Sequence, residues 1–465
     1  MPFYVVGIAL IAYSLIDFDR SLFLFIGFKF FLNSNITVIS IPGVPSLSLD
    51  LLMSIVYVAL YLVKRKKGKA KHSFPLITPL LLIYLSSAIS AVFSIAGIGS
   101  ELTNLIKNIF LDFIVIVILW ETLERQKEFK YLFNVITIVI LISCVYAIFE
   151  YSVNTNPLSI YEATLNHDAS KIIDASYEIN ARGYRVNSIF EHCIGAGVTW
   201  SIYSLFVLYS YVYKNCFIKI KWFHLVLALF AAFCVVLTKM RSCIIFFAIG
   251  SIGLFNFRKK KTIKITAVVI LSLIIVFAFG LIPEELSLIM GSITNAKYQD
   301  MISGSTISMR IDQFAAAIEL LMINPLFGLG ERFQDVLSNS ITVRLFGSES
   351  IWLLAITRRG ILGVISEIVF FYYLVVKLPK MYSSKPMFWV SLSYFLTYTI
   401  TTLPGIIMPC FYFFIMFYIK TSKRYVEYQG PQITEWSLKR TALIHRKLSV
   451  KRLRGRQIAK YEQNY

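Results

Sequence analysis

STISMRIDQFAAAIELLMINPLFGLG (305–330), ERFQDVLSNSITVRLFGSES (331–350) and IWLLAITRRGILG (351–363) follow one another without a break. The first stretch predicts an amphipathic helix over Met309 to Ile323. Ile311, Phe314, Ala315, Ile318, Leu321 and Met322 recur at i, i+3, i+4 and i+7 and are expected to form its buried stripe. Ser308 is the expected N-cap, and Arg310 and Gln313, three residues apart, are expected to share a polar side. Pro325 cannot continue the helix and turns Asn324 away from helical geometry. Gly328 and Gly330 follow, where a chain without side chains can approach a ligand closely. Glu349 then stands directly before an apolar span that begins at Ile351. A polar insert that carries an arginine and ends on a carboxylate at the mouth of a span predicts a helical membrane protein with its chemistry at that mouth.

The composition agrees. Apolar residues make up 57% of the 465-residue chain and charged residues 15%, and mean hydropathy is +0.69. Soluble domains are about half apolar and about a quarter charged. Several apolar runs approach the roughly 20 residues that cross a hydrocarbon core of about 30 Å, and the alternating short strands of a β-barrel do not occur. The expected class is an all-α polytopic membrane protein. The net charge of +20 is no sign of nucleic acid, because Lys and Arg gather in short clusters between spans and in the C-terminal tail, as the positive-inside rule requires. Cys144, Cys193, Cys216, Cys234, Cys243 and Cys410 lie in or beside apolar segments without a CxxC pair, which points to small buried hydrophobes and away from a disulfide framework or a metal site.

Outward from the insert, the basic runs KRKKGKAK (64–71), KNCFIKIK (214–221), FRKKKTIK (257–264) and KLPKMYSSK (377–385) all fall on one side of a 12- or 13-span topology. The uncertainty lies in Phe3 to Leu32, which Asp17, Asp19 and Arg20 interrupt, so that it reads as two short spans or as one span with an interfacial piece. The expected organisation is an N-terminal set of spans (1–151), a first periplasmic insert (152–190), central spans (191–282, with the last of them at 265–282), a large helical periplasmic insert (283–348), C-terminal spans (349–420) and a basic cytoplasmic tail (421–465). No 20–50-residue repeat and no Walker-type phosphate loop occurs, which removes support for nucleotide-driven transport.

Three arginines fall on the non-cytoplasmic side: Arg185 at the end of the first insert, Arg241 in a tight turn between two spans, and Arg310 on the insert helix. A guanidinium fork grips phosphate oxygens bidentately, so three forks around one mouth suit a lipid-borne pyrophosphate. Each alone also reads as a snorkelling anchor or half of a structural ion pair. Glu349 is the expected general base, since an apolar boundary raises a carboxyl pKa; a helix N-terminal acid is the structural alternative. His192, just where the chain re-enters the bilayer, is the second choice. His167, His192 and the nearby acids show no metal-ligand spacing, so neither a metal nor a cofactor is expected.

Three signatures give these residues a context. RVNSIFEH (185–192) precedes a span; Thr238, Arg241 and Ser242 form a Thr-x-x-Arg-Ser turn; and Arg310 is followed by Pro325, Gly328 and Gly330, then by the Gly-x-x-Gly of Gly360 and Gly363. In this order, and over about 182–376, the chain resembles the O-antigen polymerase and O-antigen ligase superfamily of bacterial integral membrane glycosyltransferases. The resemblance implies an inner-membrane enzyme with its active site facing the periplasm. It implies undecaprenyl-pyrophosphate-linked oligosaccharides as substrates, membrane lipids around it and a chain-length regulator protein as partner. Ligase-like members often carry a His-Asn pair where this chain has Glu349 and Ser350, and an acid there is more usual in polymerase-like members. The residue after His192 is Cys193 where the family's usual residue is proline. The polymerase branch is therefore expected, with Arg241, Arg310 and Arg185 on pyrophosphate and glycan, Gln313, Gly328 and Gly330 beside them, and Glu349 or His192 as base. The alternatives are an O-antigen ligase and a transporter of lipid-linked or anionic glycans.

Overall fold

The computed structural model describes residues 2–32, 36–39, 47–64, 74–164, 179–180, 183–213, 217–254, 307–337, 345, 350–401 and 408–422. Glu349, His167, Cys216, the span expected at 265–282 and the basic tail beyond Ser422 lie outside the described residues. The described chain is helical apart from two short hairpins, Thr37–Ile39 with Leu47–Ser48 and Ile179–Asn180 with Gly183–Tyr184. Among the described residues, four helical stretches are long and apolar enough to cross a membrane: Ile98–Thr122, Gln126–Val153, Cys193–Val212 and Ile351–Tyr382. Shorter apolar helices stand among them.

The ambiguous N-terminal stretch folds as two helices, α1 (Pro2–Ile16) and α2 (Phe18–Phe28). Asp17 separates them because its carboxylate caps α2, accepting the N–H of Arg20 at 3.1 Å. α3 (Leu49–Lys64) returns beside them, and Lys64 donates to the carbonyls of Ser14 and Leu15 at 2.7 and 2.9 Å. α4 (Ile77–Val92) leads away again. α5 (Ile98–Asn108) and α6 (Ile114–Thr122) form one stretch interrupted by a π-turn at Ile109–Phe113. α7 (Gln126–Val153) follows, then the short α8 (Pro157–Thr164).

α9 (Cys193–Val212) is the middle of the molecule. Every residue of it except Tyr211 is buried. α10 (Trp222–Leu237) and α11 (Arg241–Ile252) pack against it, as does α17 (Met408–Lys420) at the chain's far end. Lys420 donates to the backbone carbonyls of Trp120 and Leu123, which ties the end of α17 to the end of α6.

The insert helix, α12 (Ile307–Leu321), begins before Ser308, which is therefore inside the helix and is not its cap. The apolar stripe is also turned. Gln313, Ala316, Ala317 and Leu320 are the residues buried against protein, beside Leu329, Phe333 and Leu353. Ile311, Phe314, Ile318 and Met322, expected inside, are exposed. The periodicity was real, but it identifies a shared face and not what that face meets.

After α12 come a one-turn helix, α13 (Phe333–Val336), and then α14 (Ile351–Phe371), which continues through a π-turn at Tyr372–Lys377 into α15 (Leu378–Tyr382). α16 (Lys385–Ile400) turns back beside α11. α14 is broken at Gly360, whose φ of 59° and ψ of −154° are not helical. In an unbroken helix the N–H groups of Ile361 and Leu362 would bond the carbonyls of Thr357 and Arg358. Here the Pro325–Gly330 loop takes both sides of that gap. Ile361 and Leu362 donate to Pro325 and Leu326 at 2.9 and 3.2 Å, and Leu329 and Gly330 donate to Thr357 and Arg358 at 2.9 and 3.0 Å. Four orphaned backbone groups are satisfied by one splice, which a buried helix break requires. The fit leaves no room for side chains: a Cβ on Gly328 would lie 2.5 Å from the Arg358 carbonyl carbon, and one on Gly360 2.6 Å from the Pro325 oxygen.

Candidate functional site

The first arginine is positioned by a buried carboxylate that the sequence reading passed over. Glu150, fully buried near the end of α7, accepts from the Tyr184 hydroxyl at 2.8 Å and from the N–H groups of Asn187 and Ser188 at 3.0 and 2.6 Å. Asn156 closes the other side, donating to Asn187 Oδ1 and the Ser188 carbonyl, both at 2.7 Å. The knot holds the chain around Arg185 rigid, and Val186 then donates to the Leu237 carbonyl at 3.4 Å, which sets Arg185 beside the turn between α10 and α11. Arg185 Nε is buried and makes no hydrogen bond.

That turn is made by Thr238, which donates to the Val235 carbonyl at 2.7 Å and accepts from the Met240 N–H at 3.3 Å, and by Lys239 at a φ of 53°. Arg241 is the first residue of α11 and not part of the turn itself. Arg310, on α12, donates to the carbonyl of Ile400 at the end of α16 at 2.9 Å and lies close enough to Arg241 for the two charges to repel. The three arginines thus come from three separated parts of the chain to one end of the bundle. Gln313, one turn on from Arg310, is 1% exposed on the protein-facing side of α12.

The two glycines expected near a ligand are occupied by the chain itself. Gly328 abuts the Arg358–Arg359 backbone, and a Cβ on Gly330 would lie 2.1 Å from Ser94 Oγ. The loop's N–H groups are also engaged: that of Gly328 bonds the Asn324 carbonyl at 2.9 Å, and those of Leu329 and Gly330 enter the splice, so they are not turned toward an anion. His192 is the N-cap of α9, its Nδ1 accepting the N–H of Ile194 at 3.1 Å. In the neutral ring this places the proton on Nε2. Nδ1 is thereby committed to the helix cap, which leaves Nε2 as the ring nitrogen that faces away from it.

A second set of charges lies beneath the mouth, and the sequence reading named none of them. Arg359 donates through Nη2 to Glu367 at 2.7 Å, both nearly fully buried, and its Nε lies 3.6 Å from Glu331. Arg358 pairs with Glu331 at 2.9 Å. Glu101, 2% exposed, accepts the N–H groups of Glu331 and Arg332 at 3.1 and 2.9 Å. The signal was available in Arg358, Arg359 and Glu367, charges inside an apolar span, which are kept there only when paired or functional. Among the described residues no group of three or more His, Cys, Asp or Glu is placed to hold a metal ion.

Fold and site together define a polytopic all-α membrane protein with Arg185, Arg241 and Arg310 gathered at one end of its described bundle. Residues 226–367 match the family model described as O-antigen ligase, a likeness consistent with the O-antigen polymerase and ligase superfamily. The match takes in Arg241, Arg310, the splice and the buried pairs, while Arg185 and His192 precede it. It supports a role in glycan assembly of the ligase or polymerase type and does not separate the two. No curated protein matches the chain.

Proposed function

We propose that this chain is a polymerase that joins undecaprenyl-pyrophosphate-linked oligosaccharide repeat units into a surface polysaccharide at the periplasmic face of the inner membrane. The observation that carries the reading is the convergence of the Arg185 segment, the start of α11 with Arg241, and Arg310, whose charge reaches Arg241, at one end of the bundle. Like charges held together favour an anion between them. A diphosphate with its spread negative charge and fork-compatible oxygens fits that need.

In the reaction, a hydroxyl oxygen of the acceptor sugar attacks the anomeric carbon of the donor. The bond from that carbon to the pyrophosphate oxygen breaks, its electron pair stays on lipid pyrophosphate, and the hydroxyl proton goes to a base. Positioned guanidinium groups stabilise the charge that grows on the leaving group. Arg241 and Arg310 serve the pyrophosphate, and Arg185 assists or binds glycan. Glu349 is the base assigned to the proton. His192, with Nδ1 committed to its helix cap, orients the start of α9.

The test is extension of a synthetic lipid-linked repeat by the purified protein, with the product linkage read by NMR and the ladder by gel. Polymerase activity gives a ladder from lipid-linked repeats alone. The family match also favours a ligase reading. A ligase gives no ladder but moves preformed polymer onto lipid A-core, and its loss in cells leaves lipid-linked polymer accumulating; either result overturns the polymerase.

A further inference from the structure

We infer that α12 is an interfacial helix, seated with its exposed apolar face in the outer-leaflet lipid, and that this seating holds Arg310 at the level of lipid headgroups. The inference goes beyond the proposed reaction, since it concerns where the helix lies and stands whichever glycan transfer the protein performs.

The first observation is the three-sided character of the helix. At about 100° per residue, Ile311, Phe314, Ile318 and Met322 share about 80° of arc. They are 65%, 50%, 45% and 72% exposed. Gln313, Ala316, Ala317 and Leu320 form the side packed on protein. Asp312 and Glu319, both exposed, occupy the side between these two. Arg310 falls on the opposite flank, between the protein side and the apolar side. A helix with one apolar side, one acidic side and one side against protein lies flat at a boundary between oil and water.

The second observation fixes the height of that boundary. Beyond Gly360, residues 361–376, the part of the helix ahead of the basic run at 377–385, are about 24 Å long at 1.5 Å per residue, about 6 Å short of a hydrocarbon core of about 30 Å. The helix break at Gly360 therefore lies about one turn inside the outer edge of the core. Pro325 and Leu326 are bonded to that break, and α12 ends at Leu321, a few residues earlier. α12 is thus held at the membrane edge by covalent and hydrogen-bonded connection. Its apolar side continues through Leu326, 58% exposed, onto Ile361, Ile365 and Ile368 of α14, 45%, 53% and 53% exposed and facing outward within the spanning part. One continuous outward apolar strip, part of it on a membrane-crossing helix, has lipid as its occupant.

The test is the depth of nitroxide labels on the full chain in lipid nanodiscs, read by power saturation with oxygen and with a water-soluble nickel chelate. Labels go on Phe314→Cys, Ile318→Cys, Asp312→Cys and Glu319→Cys, with Ile365→Cys as the bilayer reference. The five described native cysteines are buried, and the unsubstituted chain labelled in parallel supplies the blank. The expected result is a severalfold higher oxygen-to-nickel ratio at 314 and 318 than at 312 and 319, approaching the ratio at 365. Nickel access at 314 and 318 equal to that at 312 and 319 places the face in water and overturns the inference. Low access to both reagents at 314 and 318 places it under protein, a second copy included, and also overturns it. None of these readouts depends on catalysis, so failure here and failure of the polymerase reading are separately visible.

Discussion

The protein holds two arginine clusters, a lower one bonded to the backbone around the Pro325–Gly330 loop and an upper one at the end of the bundle, and they are built in opposite ways. In the lower, Arg358 and Arg359 are answered by Glu331 and Glu367, and the backbone beside them is held by Glu101. In the upper, Arg310 meets a backbone carbonyl and lies within reach of a second arginine's charge. In the lower cluster charge is matched inside the protein, so it serves the fold. In the upper cluster arginines from three separate parts of the chain converge on one end of the bundle, an arrangement whose guanidinium forks suit an anionic substrate. The same residue type therefore carries two meanings, and the difference lies in what faces it.

The comparison is broken most forcefully at Arg359. Replacing it with Ala leaves Glu367 buried without its partner, which costs about 3–5 kcal/mol. Thermal unfolding of Arg359→Ala in detergent should show a large loss of stability. The double variant Arg359→Met with Glu367→Leu should recover most of it, because two apolar side chains of similar volume leave no uncompensated charge. If Arg359→Ala unfolds like the parent, the lower cluster is not structural and the contrast fails.

Arg310→Ala tests the other half. Loss of a group that stabilises developing charge typically lowers turnover by about 10²–10³-fold. We expect chain extension to fall on that order, with single-repeat glycans and no ladder in cells, and with a melting temperature close to the parent's. Arg310→Lys should recover only part, since a point charge replaces a bidentate fork. A normal ladder from Arg310→Ala sinks the assignment of the upper cluster to pyrophosphate.

Between the clusters, the splice itself makes a prediction of intermediate size. Gly360→Ala and Gly328→Ala each place a Cβ at a positive φ and against backbone atoms. Strain of this kind costs about 1–3 kcal/mol. Both variants should unfold at lower denaturant than the parent. If either variant keeps its stability and loses only activity, the loop is a ligand cradle after all.

Much of the fold was legible because its determinants are local. Span length and hydropathy are properties of short windows, and among the described residues the four longest spans and most of the shorter ones are where those windows put them. The three arginines were legible as residue types at a membrane mouth, and the structure gathers them at one end. The pairing of Glu101 with the Glu331–Arg332 backbone was not legible, because more than 200 residues separate them and no local pattern encodes such a contact. The direction of the α12 stripe was hidden for another reason. Periodicity says which residues share a face, and in a membrane protein an apolar face is as well satisfied by lipid as by protein. The glycines of Pro325–Gly330 were read as room for a ligand, when the nearest partner for a bare backbone was the broken helix α14.

The smallest expected effect belongs to His192, and it decides which cluster that residue serves. As an N-cap it contributes about 1 kcal/mol to α9. His192→Ala should therefore lose roughly that much stability. His192→Asn should restore it, since Asn is among the best capping residues and its side-chain oxygen reaches the same N–H groups. If His192 only caps, His192→Asn extends lipid-linked repeats at near the parent's rate, and the acid limb of the pH–rate profile is unmoved. If instead His192→Asn is stable yet inactive, Nε2 touches substrate and the residue belongs with the arginines of the upper cluster. Asparagine separates the two roles because it keeps the cap while removing the titrating ring, whereas alanine removes both at once.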